Sequence, residues 1–137
     1  MIEIVTDQDA EVAQWASQKL GQPIVPPFIA IGFKKNGVWD GAAIFNDYNG
    51  ANVELTIYGP GCLTPATIKY VFEHAFRKLG VARVTARTRR GNAVMRKLLP
   101  RLGFSFEGTA KRYFGQTKAD DALLFALFPE AARKWMQ

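Results

Sequence analysis

The feature that most constrains the fold is a change in the spacing of apolar residues at positions 59–61, Gly-Pro-Gly. Over residues 52–58 apolar and polar side chains alternate, which predicts a β-strand. Over residues 64–79 the apolar side chains recur at helical spacing, which predicts an amphipathic helix with Thr64 as N-cap and Pro65 in its first turn. The chain therefore changes from strand to helix here, and a mixed fold is required.

The residues before this point predict a first strand, a helix and an antiparallel meander. Thr6 is the expected N-cap of the helix, and Gly21 is expected to end it. Residues 28–33 and 38–45 flank Asn36-Gly37, the dipeptide that best tolerates the positive φ angles of a tight hairpin turn. We expect these two strands to form a hairpin that continues into the strand over residues 52–58.

The residues after it predict alternating strands and helices. Residues 81–88 read as a strand, and Asn92 can cap a helix that ends at Gly103, with Pro100 expected to kink or shorten it. Residues 104–114 and 121–128 read as two closing strands, followed by a terminal turn or helix. The element order is then βα, three strands, α, β, α, β, β.

The composition limits the class of protein. The 137 residues fit one domain over residues 1–137, and 48% hydrophobic with 22% charged residues predicts a chain that is folded throughout. No apolar stretch approaches the roughly 18 residues of a membrane span, and the start lacks the pattern of a secretory signal, so a cytoplasmic location is expected. The single cysteine, Cys62, argues against a disulfide framework or a structural metal site.

The positive charge is concentrated in one part of the chain. The formal net charge is +6, yet residues 69–118 hold 13 basic and only two acidic residues, a local charge of +11. A basic side can attract the phosphates of a cofactor, an acidic protein partner or nucleic acid. The alternative interpretation is a solvated basic face.

A resemblance to a known family rests on a series of short motifs. Leu79-Gly80-Val81 leads to Asn92, then to Leu102-Gly103-Phe104 and Glu107-Gly108. In this order the motifs resemble the GNAT N-acetyltransferases, most of all the ribosomal-protein N-acetyltransferase type, over residues 53–128. The resemblance implies an α/β fold whose mixed, mostly antiparallel sheet has a splayed central strand pair and flanking helices. It also implies transfer of an acetyl group from acetyl-CoA to a primary amine, on a protein N-terminus, a lysine or a small molecule, by a monomer or homodimer.

The resemblance also implies which residues meet the cofactor. The pantetheine arm would enter between the strands at 52–58 and 81–88, held by backbone groups near Leu55, Ile57 and Tyr58. The pyrophosphate would lie at the start of the helix over residues 64–79. Its expected cradle is formed by Gly59, Gly61, Cys62, Leu63 and Thr64, where Gly59 replaces the cationic side chain that the family usually has.

Two further cofactor residues follow from the same resemblance. Asn92 matches the family asparagine that contacts the pantetheine arm, although it is equally a good N-cap. Arg96 is the first choice among the nearby arginines for the nucleotide phosphates, although a surface arginine is more often only solvated.

The catalytic groups are less clear from the sequence. Glu54 is the best candidate for the base that receives the amine proton, with an exposed strand glutamate as the alternative. The positions that usually hold the acid are Leu99 and Met95 here, so Tyr113, Tyr58 or Cys62 could substitute, or the thiolate could leave unaided. The one histidine, His74, is expected on the surface. A non-catalytic GNAT-like module that binds acyl-CoA or nucleic acid is the alternative function.

Overall fold

All seven strands lie in one sheet of a computed structural model that describes residues 1–137. The strands are β1 (Ile2–Val5), β2 (Phe28–Lys35), β3 (Val38–Asn46), β4 (Asn52–Tyr58), β5 (Arg83–Arg89), β6 (Ser105–Ala110) and β7 (Ala122–Leu127). Their order in the sheet is β1-β2-β3-β4-β5-β7-β6. Every neighbouring pair is antiparallel except β4 and β5, which run parallel. The predicted mixed, mostly antiparallel sheet is confirmed.

The turn between β2 and β3 follows from two residues. Asn36 and Gly37 have φ angles of 55° and 78°, the left-handed conformation that a two-residue hairpin turn of this kind requires. Lys35 pairs with Val38 directly before and after the turn. The predicted hairpin is confirmed, and β2 runs two residues beyond its expected end at Phe33.

The helices are α1 (Asp9–Leu20), α2 (Pro65–Glu73), α3 (Ala93–Leu102) and α4 (Pro129–Ala132). The predicted N-cap of α1, Thr6, is wrong, because β1 stays paired as far as Val5 and the helix begins only after Gln8. Asp9 instead ties the start of α1 to the sheet, since its carboxylate accepts a hydrogen bond of 2.9 Å from the N–H of Ala30. No helix is long and apolar enough to cross a membrane.

The ends of α2 and α3 are close to the expected ones. Thr64 caps α2, which continues as a wider π-helical segment, His74–Leu79, until Gly80 ends it with a φ of 70°. Asn92 and Gly103 bound α3 as predicted. Pro100 lies inside α3, which continues to Leu102, so it does not shorten the helix.

The strand predicted over residues 104–114 is shorter than expected. It ends at Ala110, because the chain turns at Arg112, where φ is 56° and the N–H donates to a carboxylate oxygen of Asp121 at 2.9 Å. Tyr113 and Phe114 therefore lie in the connection to β7 and not on a strand.

Two apolar clusters cover the two faces of the sheet. The larger includes Phe33, Phe45, Phe72, Leu99, Leu102 and Leu127, and the smaller lies under α1 around Val12, Ala16 and Ile44. His74 belongs to the buried residues and stacks on Phe45 at 5.1 Å between ring centroids, so its predicted surface position is wrong. Burial lowers the pKa of His74, with Lys78 adding to the effect. This histidine is a packing residue.

Candidate active site

The sheet opens between its two parallel strands. Asn52, Val53 and Glu54 of β4 pair with β5, and the pairing stops at Glu54 and Thr85. Beyond that point β4 remains paired with β3, and β5 remains paired with β7 as far as Arg89. Beyond Glu54 and Thr85 the facing edges of β4 and β5 have no strand partner, so the predicted splayed gap is confirmed.

The gap is the floor of a cleft of about 430 Å³, here called the strand cleft. Its β4 side is formed by Leu55, Thr56, Ile57, Tyr58 and Gly59, and its β5 side by Ala86, Arg87, Thr88 and Arg89. Helix α3 and the residue that caps it contribute Asn92, Met95 and Leu99, and the end of α1 contributes Lys19 and Leu20. Of the predicted cofactor residues, the structure thus brings together Leu55, Ile57, Tyr58, Gly59 and Asn92.

Gly59 is required by the backbone at the end of β4. Its φ is +76°, and a Cβ at this position would lie 2.3 Å from the carbonyl oxygen of Asp40 and 2.8 Å from the Cα of Gly41. Both neighbours are backbone atoms of β3, so they cannot move aside without disturbing the sheet. The chain can leave β4 along the rim of the strand cleft only with glycine here.

The rest of the predicted phosphate cradle is arranged differently. The N–H of Cys62 donates to Gly59 at 2.9 Å, and the N–H of Leu63 donates to Pro60 at 3.1 Å. The N–H of Thr64 donates to the hydroxyl of Thr67 at 2.8 Å, as part of a capping box. These three donors are used inside the protein, so they are not free to bind a phosphate in this conformation.

Gly61, Cys62, Leu63 and Thr64 also do not line the strand cleft, whereas Gly59 does. Gly61 is exposed and has open space beside it. Cys62 is buried, and burial followed by a hydrogen bond to Asp40 raises the pKa of its thiol to about 12. The structure therefore gives no support to Cys62 as the acid or to these four residues as a cradle.

The cations that reach the strand cleft are not the predicted one. Arg96 is exposed on α3 and does not line the cleft. Lys19 and Arg89 line it instead, and Arg89 is held by Asp120 at 3.0 Å. Sequence reasoning missed Lys19 because nothing in the sequence relates the end of α1 to the cleft. The Asn92 side chain accepts the N–H of Met95 at 3.2 Å, so its role as N-cap is confirmed.

A second cavity of about 400 Å³, here called the proline pocket, lies beside the strand cleft. One wall is the segment from Gln22 to Pro27, and the other residues include Ile44, Asn46, Asp47, Glu54 and Tyr113. Gln22, Thr56, Arg87 and Phe114 line both cavities. The two cavities are therefore neighbours that share part of one wall.

Glu54 is buried at this boundary, with 9% of its surface exposed, and it is not the exposed strand glutamate of the alternative interpretation. Its carboxylate lies 3.1 Å from Nε of Arg87. Burial, followed by a hydrogen bond with Asp47, raises the pKa of Glu54 to about 7, although the positive charge of Arg87 opposes the rise. A carboxyl group with this pKa can both accept and release a proton near neutral pH.

Tyr113 lies on the proline pocket and is 50% exposed. Its hydroxyl accepts a hydrogen bond from Arg87, whose guanidinium lies 5.1 Å from the ring centroid. Tyr113 does not line the strand cleft, whereas Tyr58 does and packs edge-on against Trp15 at 5.5 Å. The structure brings Tyr113 and Glu54 together through Arg87, a residue that the sequence motifs do not single out.

Solved structures that match this fold include several acetyltransferases. Mutant forms of the spermidine/spermine N-acetyltransferase SpeG from Vibrio cholerae match 100% of both chains with a TM-score of 0.75 at 10% identity. The ribosomal-protein-S18-alanine N-acetyltransferase from Escherichia coli matches 93% of this chain and 94% of its own with a TM-score of 0.63 at 20% identity. The chain has the GNAT acetyltransferase fold.

A third structure with this fold contains a ligand. It is yncA, a putative acetyltransferase from Salmonella typhimurium with its cofactor acetyl-CoA, which covers 93% of both chains with a TM-score of 0.61 at 19% identity. No protein-family model matches the sequence, and a search of curated proteins finds no match. The similarity to solved structures at these identities establishes the GNAT fold, and the activity has to be argued from the site.

Proposed function

We propose that the protein transfers the acetyl group of acetyl-CoA to a primary amine. The observation that carries the proposal is the meeting of two cavities at Thr56 and Arg87, with Glu54 buried beside them. The strand cleft is suited to the acyl donor and the proline pocket to the amine. Glu54 then lies where a base is required.

The free edges of β4 and β5 suit the pantetheine arm of acetyl-CoA. The arm contains two amides, and an extended amide chain can add to an open strand edge through main-chain hydrogen bonds. Leu55, Ile57 and Tyr58 supply that edge, and Asn92 lies on the same cleft. The specificity of such binding depends little on side chains, which agrees with the ordinary apolar residues found there.

The phosphates of acetyl-CoA would be met by side chains rather than by the loop after β4. Three N–H groups of that loop are used within the protein, while Lys19 and Arg89 lie on the strand cleft. A lysine ammonium and an arginine guanidinium are both effective partners for phosphate. We infer that these two residues take the place of the missing cationic side chain at Gly59.

The reaction at the boundary needs few groups. The neutral amine attacks the thioester carbon, the C–N bond forms, and the C–S bond breaks with its electron pair leaving on sulfur. The amine proton passes to Glu54, directly or through water. Holding the two reactants in adjacent cavities contributes by proximity, which can supply more than a single proton transfer does.

Thermal unfolding with acetyl-CoA tests the donor site, with CoA and dephospho-CoA for comparison. A ligand at about 100 times its dissociation constant adds roughly 2.7 kcal/mol, which raises the midpoint of a domain of this size by about 9 °C. Release of free thiol in the presence of amines then tests transfer. No rise in the midpoint at millimolar acetyl-CoA would contradict the proposal.

A second candidate is a non-catalytic module that binds an anionic partner, either nucleic acid or an acidic protein. The observation that favours it is the exposed basic surface of α3, formed by Arg96, Lys97 and Arg101, together with the internally bonded loop after β4. Binding of RNA or DNA that weakens steeply with salt would support this candidate. Thiol release that depends on an amine would instead support the acetyltransferase.

A further inference from the structure

The proline pocket is lined by few charged side chains, and their positions indicate which ligands the pocket suits. Its charged side chains are Asp47, Glu54 and Arg87. Arg87 forms an ion pair with Glu54 at 3.1 Å and donates a hydrogen bond to Tyr113. When Glu54 is ionised, its charge is therefore balanced by Arg87, and Asp47 supplies the one remaining negative charge.

An unsatisfied oxygen lies in the same wall. Oδ1 of Asn46 is buried and has no hydrogen-bond partner in the protein. Asn46 lies opposite Glu54 in the pairing of β3 with β4, and Asp47 is the next residue in the chain. A buried oxygen without a donor is costly, so this position is suited to a ligand that brings N–H groups.

Another part of the lining is apolar. Pro23, Ile24, Val25, Pro26 and Pro27 form one wall, and Ile44 of β3 adds a further apolar side chain to the pocket. The prolines have no N–H to donate, and the isoleucine and valine side chains cannot form hydrogen bonds. These side chains therefore offer no partner to a second polar group of a ligand. The wall suits a hydrocarbon chain.

We propose that the proline pocket binds the acceptor as a single ammonium group on an apolar arm, held by Asp47 and Oδ1 of Asn46 beside Glu54. The inference rests on the proposed function and defines its acceptor class. An ammonium has three donors, which match one side-chain oxygen each from Asn46, Asp47 and Glu54. The arm then lies along the proline wall. The ammonium gives one proton to water, the neutral amine attacks the thioester carbon, and its second proton passes to Glu54 as the C–N bond forms and the C–S bond breaks.

The same charges disfavour two other acceptor classes. A polyamine would place its second positive charge against the apolar wall, where no acid is present to balance it. An α-amino acid would place its carboxylate next to Asp47, while two nitrogens of Arg87 are already bonded to Glu54 and Tyr113. We therefore expect n-hexylamine to be acetylated with a higher kcat/KM than spermidine or glycine.

Two variants test the assignment at pH 8.5, where Glu54 is largely ionised. Asp47→Asn keeps the size of the side chain and the left-handed backbone, since asparagine tolerates the φ of 54° found there. Asn46→Leu removes the amide oxygen. Because a hydrogen bond to a charged group is lost, each is expected to raise the KM for n-hexylamine about tenfold or more. The matched control, Asp7→Asn, changes an exposed aspartate that lines neither cavity.

An NMR titration of each protein with n-hexylamine alone separates this inference from the proposed function. Binding to the wild type that is weakened in Asp47→Asn supports the ammonium site even if no acetyl transfer occurs. Acetyl transfer that prefers spermidine or glycine, or that has the same KM in all variants, would overturn the ammonium site and leave the acetyltransferase proposal standing. Absence of both binding and transfer would overturn both.

Discussion

The pH dependence of acetyl transfer is the most direct test of Glu54 as the base. Its pKa is raised to about 7 because burial and Asp47 disfavour the ionised form. The base must be ionised to accept a proton, so the rate falls as pH falls below 7. For a pKa of about 7 the ionised fraction of Glu54 is about 9% at pH 6 and about 91% at pH 8, so kcat/KM calculated for the neutral form of the amine is expected to rise about tenfold across this range.

The assay is release of CoA thiol with n-hexylamine at saturating acetyl-CoA, from pH 5.5 to pH 9. Glu54→Gln retains the size of the side chain and removes the base. This variant is expected to lower kcat/KM by about 10²–10⁴. It should also abolish the fall in kcat/KM on the acid side of the pH profile, here called the acid limb. The rise in unfolding temperature caused by acetyl-CoA should remain, because Glu54 does not line the strand cleft.

Substitution of Arg87 tests the same assignment independently, because it is expected to shift the acid limb. Its positive charge lowers the pKa of Glu54, so Arg87→Gln should move the acid limb above pH 7. Arg83→Gln is the matched control, since Arg83 lies on the same strand and pairs with Glu107. Wild-type turnover in Glu54→Gln, or an acid limb that Arg87→Gln leaves in place, would refute the assignment.

Two further predictions concern the loop after β4 and the tyrosine beyond β6. Gly59→Ala should destabilise the protein by about 3 kcal/mol, or about 10 °C in Tm, because a Cβ at a positive φ meets the backbone of Asp40 at 2.3 Å. In Gly61→Ala the added Cβ meets open space, so the free energy of unfolding should stay within about 0.5 kcal/mol of the wild-type value. Denaturant titrations of both variants measure the difference, and equal losses of stability would contradict the geometry. Tyr113→Phe should lower kcat/KM by less than about tenfold, because the hydroxyl is bonded to Arg87 on the proline pocket; a loss of 10²–10⁴ in kcat would show instead that Tyr113 is the acid.

The parts of the fold that were predictable depend on short-range chemistry. The hairpin turn is decided by Asn36 and Gly37, and the ends of α2 by Thr64 and Gly80. Each of these signals acts over about four residues, so the sequence contains everything needed to read it. Asn92 at the start of α3 is a further case.

The errors arise where distant residues decide the local structure. The alternation of residues 104–114 continues past Ala110, yet Asp121 binds the N–H of Arg112 and turns the chain there. A short-range contact also limits what the residue types show: the loop after β4 has the small residues of a phosphate cradle, but Thr67 engages the N–H of Thr64. The residue types alone do not show which backbone N–H groups are already hydrogen-bonded within the protein.

The site was predictable only in part for the same reason. Glu54 could be chosen from its place on β4, but its environment comes from Asp47, Arg87 and the segment from Gln22 to Pro27. These groups come from three separate parts of the chain. The raised pKa, which makes Glu54 suitable as a base, was therefore beyond a reading of the strand alone.

The absence of the usual acids fits the way charge is arranged at the boundary of the two cavities. Met95 and Leu99 line the strand cleft as apolar side chains and offer no proton to a departing thiolate. Arg87 lines both cavities and forms an ion pair with Glu54, so its positive charge lies where the two cavities meet. A fixed guanidinium can stabilise a developing negative charge without giving up a proton. Loss of Arg87 should then lower the rate at high pH as well as shift the acid limb, whereas a role through Glu54 alone would leave the high-pH rate unchanged.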